Sequence, residues 1–340
     1  MKLVVTGGAG FIGSNFIHYW LKNHPEDEVI GYDSLTYAGN LENLEHAKEH
    51  KQFTFIKGDI GDFDTAKKSL EGVDIVINFA AESHNDRAVL DPGIFIRTNV
   101  LGTQILLEAA RQAGVKRFHH ISTCEVFGDL ALDEQRAFLE TDPYQPKTPY
   151  NASKAGANHV VMAYYHTYNM PVTISHCANN YGPYQFPEKL IPLFTTNALE
   201  DKSLPLFKSS QNKREWTHVD DHARAIEAIL ENGKIGEAYN IGTGVEKSVE
   251  EITNIILKTL DKPESLKTYV PDRLSHDRRY LLDDTKLRQE TGWKPQIDFE
   301  DGMKETILWY KNNEDWWKRV KSGEYETYYD MYYNDKLGKK

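Results

Sequence analysis

Among its 340 residues the chain has only two cysteines, Cys124 and Cys177, too few for a disulfide framework and without the CxxC spacing of a zinc site. A reducing compartment is therefore expected, and a metal is not. No stretch of about 18 apolar residues is present, which excludes a membrane-spanning helix and leaves no membrane partner. The opening run Leu3-Val4-Val5 meets glycines at once, too soon for the apolar centre of a secretory leader, so a cytoplasmic protein is expected. Excess positive charge is missing as well. Against 51 Asp plus Glu stand 40 Lys plus Arg, giving a net charge of -11 with no long basic run, so nucleic acid is not an expected partner. Any anionic ligand must be held by local arginines. Internal repeats and low-complexity stretches are absent too. What is there, 40% hydrophobic and 27% charged residues, describes a folded chain with room for roughly two domains.

The first half alternates two periodicities. Leu3 to Thr6, Glu28 to Tyr32, Phe53 to Lys57, Ile75 to Phe79, Arg117 to Ser122 and Val172 to Cys177 are β-branched apolar runs that predict strands. Phe16 to Lys22, Leu41 to His50, Thr65 to Leu70, Thr98 to Gln112 and Tyr150 to Tyr168 carry helical spacing between them. A βαβα order predicts an α/β fold, a Rossmann-type parallel sheet wound on both faces. After Cys177 the pattern breaks into turns and short segments, which predicts a smaller, interleaved substrate lobe. We read residues 1–178 as the dinucleotide-binding part, 179–320 as mainly the second lobe, and 321–340 as a Tyr-rich tail. Trp216 to Val219 and Tyr239 to Ile241 look like strands flanking a helix at Asp220 to Glu231, so the segment near 215–242 is expected to rejoin the sheet.

Two clusters carry chemistry. Thr6-Gly7-Gly8-Ala9-Gly10-Phe11-Ile12-Gly13 follows the first strand and opens a helix, where glycines let a pyrophosphate approach the unpaired N–H groups of the helix N-terminus. Asp33 closes the second strand about 20 residues on, placed to accept from a ribose 2′-hydroxyl and to repel a 2′-phosphate, so NAD is favoured over NADP. Alone, Asp33 would be a turn or cap residue. Tyr150 and Lys154 stand four apart and share a helix face; alone, such a pair is ordinarily a solvated surface. With Ser122-Thr123 at the end of a predicted strand, the pair becomes a base for a sugar hydroxyl, because an adjacent ammonium stabilises phenolate.

These motifs, with Tyr32 to Asn40, Ala80-Ala81-Glu82-Ser83-His84, Asn179 to Tyr184, Pro187 to Pro192, Arg214-Glu215-Trp216 and His276 to Tyr280, resemble the extended short-chain dehydrogenase/reductases. Within these they resemble the nucleotide-sugar 4,6-dehydratases, those acting on dTDP-glucose above all. The resemblance implies that Tyr150 takes the O4 proton while C4 is oxidised by tightly bound NAD, with Thr123 holding O4. Glu125 then removes the C5 proton, an acid protonates the departing C6 hydroxyl, and reduction at C6 leaves a 4-keto-6-deoxy sugar. It also implies cofactor contacts from Gly7, Gly10, Phe11, Ile12, Gly13, Asp33, Ser34, Leu35, Thr36, Asp59, Ile60, Ala80, Ala81, Ser83, Thr98, Tyr150, Lys154 and Asn180. Substrate contacts fall to Ser83, Thr123, Asn179, Lys189, Leu190, Pro205, Phe207, Arg214, Arg273, His276 and Arg278, and a homodimer built on a helical interface including Tyr150 to Tyr168 is implied.

The chain departs from that family at telling places. Thr123-Cys124-Glu125 replaces the usual Thr-Asp-Glu, so the expected general acid is the thiol of Cys124, against a plain reading of Cys124 as a small buried packing residue. Asn85 and Ala88 replace a Val and a Ser, Leu274-Ser275 replaces a Pro-Gly before His276, and Gly244 to Ser248 lacks an Asn. A Cys before the Glu resembles enzymes that convert UDP-N-acetylglucosamine to a 5,6-ene, the main alternative. UDP-glucuronate decarboxylases, C4 epimerases and a non-catalytic NAD sensor rank below it, since an epimerase or a sensor would leave Glu125 idle.

Overall fold

The computed structural model describes residues 1–272, 277–322 and 329. Seven strands make the main sheet: β1 (Lys2–Thr6), β2 (Glu28–Asp33), β3 (Phe53–Lys57), β4 (Ile75–Asn78), β5 (Arg117–Thr123), β6 (Val172–Cys177) and, far along the chain, a strand at Ala238–Ile241. All neighbours are parallel, in the order Ala238–Ile241, β6, β5, β4, β1, β2, β3. Strand β1 shows why the sequence folds this way. Leu3 and Val5 enter one apolar cluster with Phe16, Ile17 and Trp20, whereas Val4 enters the opposite one with Ile30, Val76, Leu106 and Leu107. With both faces covered by helices, a continuous apolar strand is stabilised, at roughly 1.5–3 kcal/mol per large side chain buried. Strand order reverses between β2 and β4 around β1, and such a switch point opens a crevice beyond the carboxyl ends of the strands.

Two helices aim at that crevice. The helix Phe11–Asn23 starts directly after the glycine turn, with Gly10 at its cap and neither a side-chain cap nor an acidic residue in its first turn. Its leading N–H groups therefore suit an anion. The helix Pro149–Tyr168 is fixed at its start by Thr148, whose hydroxyl accepts from the Asn151 N–H at 3.2 Å, and by Pro149, and it ends at Asn169 in a left-handed cap.

Elsewhere structure and expectation part. Leu41 to His50 is not one helix but a 3-10 turn, Leu41–Leu44, and one further turn, Glu45–Lys48. The segment expected as a helix from Thr98 opens as π turns over Ile96–Gly102 before the helix Thr103–Ala113. There Asn99 offsets the irregular backbone by bonding the Glu82 N–H and carbonyl and the Ser153 hydroxyl. The strand expected at Trp216 to Val219 does not rejoin the main sheet. Residues Lys213–His218, as β9, pair instead with β7 (Asn179–Tyr181) and with β11 (Glu246–Ser248), and Val219 already begins the helix Val219–Asn232. Only Ala238–Ile241, β10, returns to the main sheet, beside β6. The parallel pair β8 (Leu204–Phe207) and β12 (Lys267–Val270) completes the second region. Of the expected tail only Lys321, Ser322 and Tyr329 are described; the rest lies outside the described residues.

Candidate active site

A cavity of about 390 Å³ runs along the carboxyl edge of the main sheet. Gly7, Gly10, Phe11, Ile12 and Gly13 line one end, then Asp33, Ser34 and Thr36 after β2, Asp59 and Ile60 after β3, and Ala80, Ala81 and Ser83 after β4. Thr98, Asn179 and Asn180 also reach it. The glycines are dictated by packing. A Cβ on Gly13 would lie 2.2 Å from the Gly7 carbonyl oxygen, and Gly7 itself holds φ +65° against the backbone of Ala80. Asp33 accepts from Ala9 N–H at 3.0 Å and Leu35 N–H at 2.7 Å, bonds that oppose the upward push of burial on its carboxyl. Each carboxylate oxygen keeps acceptor capacity for a ribose hydroxyl. Ser122 Oγ and Asn179 Oδ1 are buried on this wall with no partner among the described residues. Orphaned polar atoms, a close backbone and a bare helix start together fit a dinucleotide.

At the other end Thr123, Glu125, Tyr150 and Lys154 share the same cavity. Burial pushes the Tyr150 phenol well above its ordinary range, the Glu125 carboxylate adds to that, and a hydrogen bond with Thr123 opposes it. All three groups line this one cavity, and the Thr123 hydroxyl accepts from the Glu125 N–H at 3.3 Å. Lys154 donates from Nζ to the Ile121 carbonyl at 2.6 Å, and burial brings its pKa down to about 8, leaving it an ammonium at neutral pH. A second cavity of about 170 Å³ opens from this point, lined by Asn179, Lys189, Leu190, Pro205, Phe207 and Arg214. Glu125 belongs to both walls. Arg214 lies over the Tyr280 ring at 4.8 Å and donates to the Asp277 carbonyl at 2.9 Å, which anchors its guanidinium in that wall.

Three expected site residues are placed otherwise. Cys124 lines neither cavity; it is 1% exposed and packs with Val126, Phe127, Leu130, Phe138 and Tyr280. Burial first and the Glu125 charge second push its thiol well above the ordinary value. Leu35 turns into the core beside β2, contributing only its N–H to Asp33. Arg278 points outward and pairs with Asp129 at 3.0 Å. Arg273 and His276 lie outside the described residues. Conversely, Arg87 stacks on Tyr37 at 3.8 Å and pairs with buried Glu188 at 2.8 Å, bracing the mouth between the two cavities. Asn85, Trp216 and Tyr280 also line the second cavity. Trp216 and Tyr280 belong to motifs that carry the family likeness, and Asn85 stands out in the sequence by its departure from the usual Val.

Known proteins share this architecture. The GDP-mannose 4,6 dehydratase family model matches residues 4–306. A dTDP-glucose 4,6-dehydratase of Escherichia coli is 45% identical, with 98% of this chain and 99% of that one aligned. The structure of DesIV, a dTDP-glucose 4,6-dehydratase from Streptomyces venezuelae with NAD and TYD bound, superposes with a TM-score of 0.91 at 47% identity, covering 94% of this chain and 100% of that one. A Bacillus anthracis dTDP-glucose 4,6-dehydratase in complex with NAD does so at 0.87 and 43% identity, over 94% and 99%. With a phenol and a carboxylate flanking one threonine at the sheet edge, and relatives that match end to end, the chain belongs to the nucleotide-sugar 4,6-dehydratases of the extended short-chain dehydrogenase/reductases.

Proposed function

We propose that the chain is an NAD-dependent hydro-lyase that converts dTDP-glucose to dTDP-4-keto-6-deoxyglucose. The observation that carries this is the meeting of Tyr150, Thr123 and Glu125 where the glycine-loop cavity opens into the second one. Substrate and cofactor follow from the relatives, which are dTDP-glucose 4,6-dehydratases and, in two solved structures, hold NAD. Bound along Gly7 to Gly13 and Asp33, NAD supplies the oxidising equivalent at C4 and returns it at C6.

The protein's own groups do the rest. As the phenolate, a form that burial opposes and the Lys154 ammonium one helical turn away favours, Tyr150 accepts the O4 proton, and Thr123 holds O4. The C4 ketone so formed acidifies C5, and Glu125 takes that proton. As the C6–O bond breaks, the hydroxide needs a proton. Glu125, now a carboxyl beside C6, hands it over, because the Cys124 thiol is set back in an apolar cluster. Water leaves and Glu125 is a carboxylate again; reduction at C6 then leaves an enolate whose C5 takes up one proton, balanced by the O4 proton that Tyr150 gives up to the medium. Arg214 in the second cavity binds the diphosphate. The 5,6-ene reading drew on Cys124 standing before Glu125; the end-to-end likeness to dTDP-glucose 4,6-dehydratases supports the 4-ketone instead. Residues 1–178 with β10 hold the cofactor in this reading, and 179–320 mainly the nucleotide sugar.

Exposed Val89, Leu90, Ile96 and Leu101 on successive helical segments, with Tyr168 at the end of Pro149–Tyr168, support a homodimer formed on that face. Among the described residues no helix is long and apolar enough to cross a membrane, and the reading is of a cytoplasmic enzyme. Incubation with dTDP-glucose, followed by mass and NMR of the product, tests the reaction. Loss of water with a 4-ketone supports it; a 5,6-ene, or NAD binding with no product, refutes it.

A further inference from the structure

We infer that Asn85 is a positioning residue that orients the Glu125 carboxylate and so acts on elimination without touching C4 oxidation, an inference that rests on the reading of Glu125 as the C5 base. Asn85 opens the helix Asn85–Leu90, half-buried on the wall of the second cavity. Its Nδ2 donates to Glu125 Oε2 at 2.8 Å, and its Oδ1 accepts from the Thr148 hydroxyl at 2.7 Å. Chemistry fixes which way the amide faces. Turned over, it would set a carbonyl oxygen against a carboxylate oxygen and lose the bond to Glu125, although Thr148 could still serve either end.

Thr148 is itself held. Its hydroxyl caps the helix that carries Tyr150 and Lys154, accepting from Asn151 N–H. A relay of three side chains, Thr148 to Asn85 to Glu125, thereby ties the base of the first half-reaction to the base of the second. Glu125 needs such a tie. It sits on the single 3-10 turn Cys124–Phe127 after β5, and the last torsion of a glutamate is broad and roughly two-fold. Holding Oε2 limits that torsion and so decides which lone pair meets the C5 proton, an orientation term in the barrier to elimination. The bond is charge-assisted, which makes it stronger than a neutral pair.

The test separates the two half-reactions. Asn85→Leu keeps the shape and removes both bonds; Asn85→Asp keeps the acceptor for Thr148 and removes the donor to Glu125. Each is mixed with dTDP-glucose and with its C5-deuterated form, and the near-ultraviolet absorbance of the reduced cofactor is followed in rapid mixing. For both variants water loss slows about tenfold, KM moves less than about twofold, reduced cofactor accumulates during turnover, and the C5 deuterium isotope effect on kcat rises above that of the wild type. Asn85→Gln, which retains a donor, recovers part of the rate. Equal slowing of oxidation and elimination, or unchanged accumulation and isotope effect in both variants, overturns the inference while the wild type still turns over. Absence of water loss in the wild type itself overturns the dehydratase reading and this inference with it.

Discussion

Cys124 is the position at which sequence chemistry and packing make opposite claims, so its truncation is the sharpest test of the site. A general acid has to come within about 3 Å of the oxygen it protonates, and loss of one typically costs roughly 10²–10⁴ in rate. The Cys124 thiol is 1% exposed among Val126, Phe127, Leu130 and Phe138 and lines neither cavity. For Cys124→Ala the structure therefore gives a packing effect. Removing one buried sulfur forfeits about 1 kcal/mol of transfer energy, and a void of roughly 20 Å³ adds about 0.5 kcal/mol. At about 2.1 cal/mol/K per residue, the 340 residues give an unfolding entropy near 0.7 kcal/mol/K, so the midpoint falls by ~2 °C. Water loss changes by less than about threefold. Thermal unfolding followed by fluorescence reads the first quantity, and rapid-quench mass analysis of product reads the second. A loss of tenfold or more in elimination, with C4 oxidation intact, would mean that the thiol reaches the sugar and that burial was the wrong guide.

Other perturbations separate the remaining roles. Tyr150→Phe removes the O4 base, so no reduced cofactor forms on mixing with dTDP-glucose and turnover drops by roughly 10²–10⁴; normal turnover would end the assignment. Glu125→Gln leaves C4 oxidation in place and abolishes water loss, visible as reduced cofactor that persists; dehydration at the wild-type rate would remove Glu125 from the reaction. Acid stability follows from four buried histidines. His119, His176 and His222 have pKa values brought down to about 3 by burial, and His120 is lowered well below its ordinary 6.5. In the unfolded chain they bind protons below about 6.5 while the folded state keeps them neutral, so stability is intact above that pH and falls beneath it, by up to ~1.4 kcal/mol per histidine per pH unit. Denaturant midpoints between pH 7 and 5 measure this, and a flat profile contradicts it.

What could be read from the sequence is what is written in local spacing. The glycine turn and Asp33 were legible because strand, turn, helix and strand must follow in that order for either to matter, and Tyr150 and Lys154 because four residues make one turn of a helix. Strands β7, β8, β11 and β12 are three or four residues long, too short for a period of two to show against chance. The placement of Cys124 is not legible in local spacing, because β5 gives way to a 3-10 turn at that residue and the alternation of a strand no longer says which side it faces. Arg278 shows the opposite limit: nothing near it in the chain announces Asp129, which lies 149 residues away. Neither does anything announce the contact of Asn85 with Glu125, 40 residues apart, which the packing of the helix Asn85–Leu90 against the 3-10 turn Cys124–Phe127 creates.

The return of β10 to the edge of β6 has a mechanical meaning. The chain leaves the large sheet after Cys177, builds β7 to β9, comes home along Val219–Asn232, and departs again for β11. Its two halves are laced together like a boot. Prising them apart would strip backbone bonds from a buried strand, so admission and discharge of the hexose fall to loops and side chains at the rim, not to a swinging door.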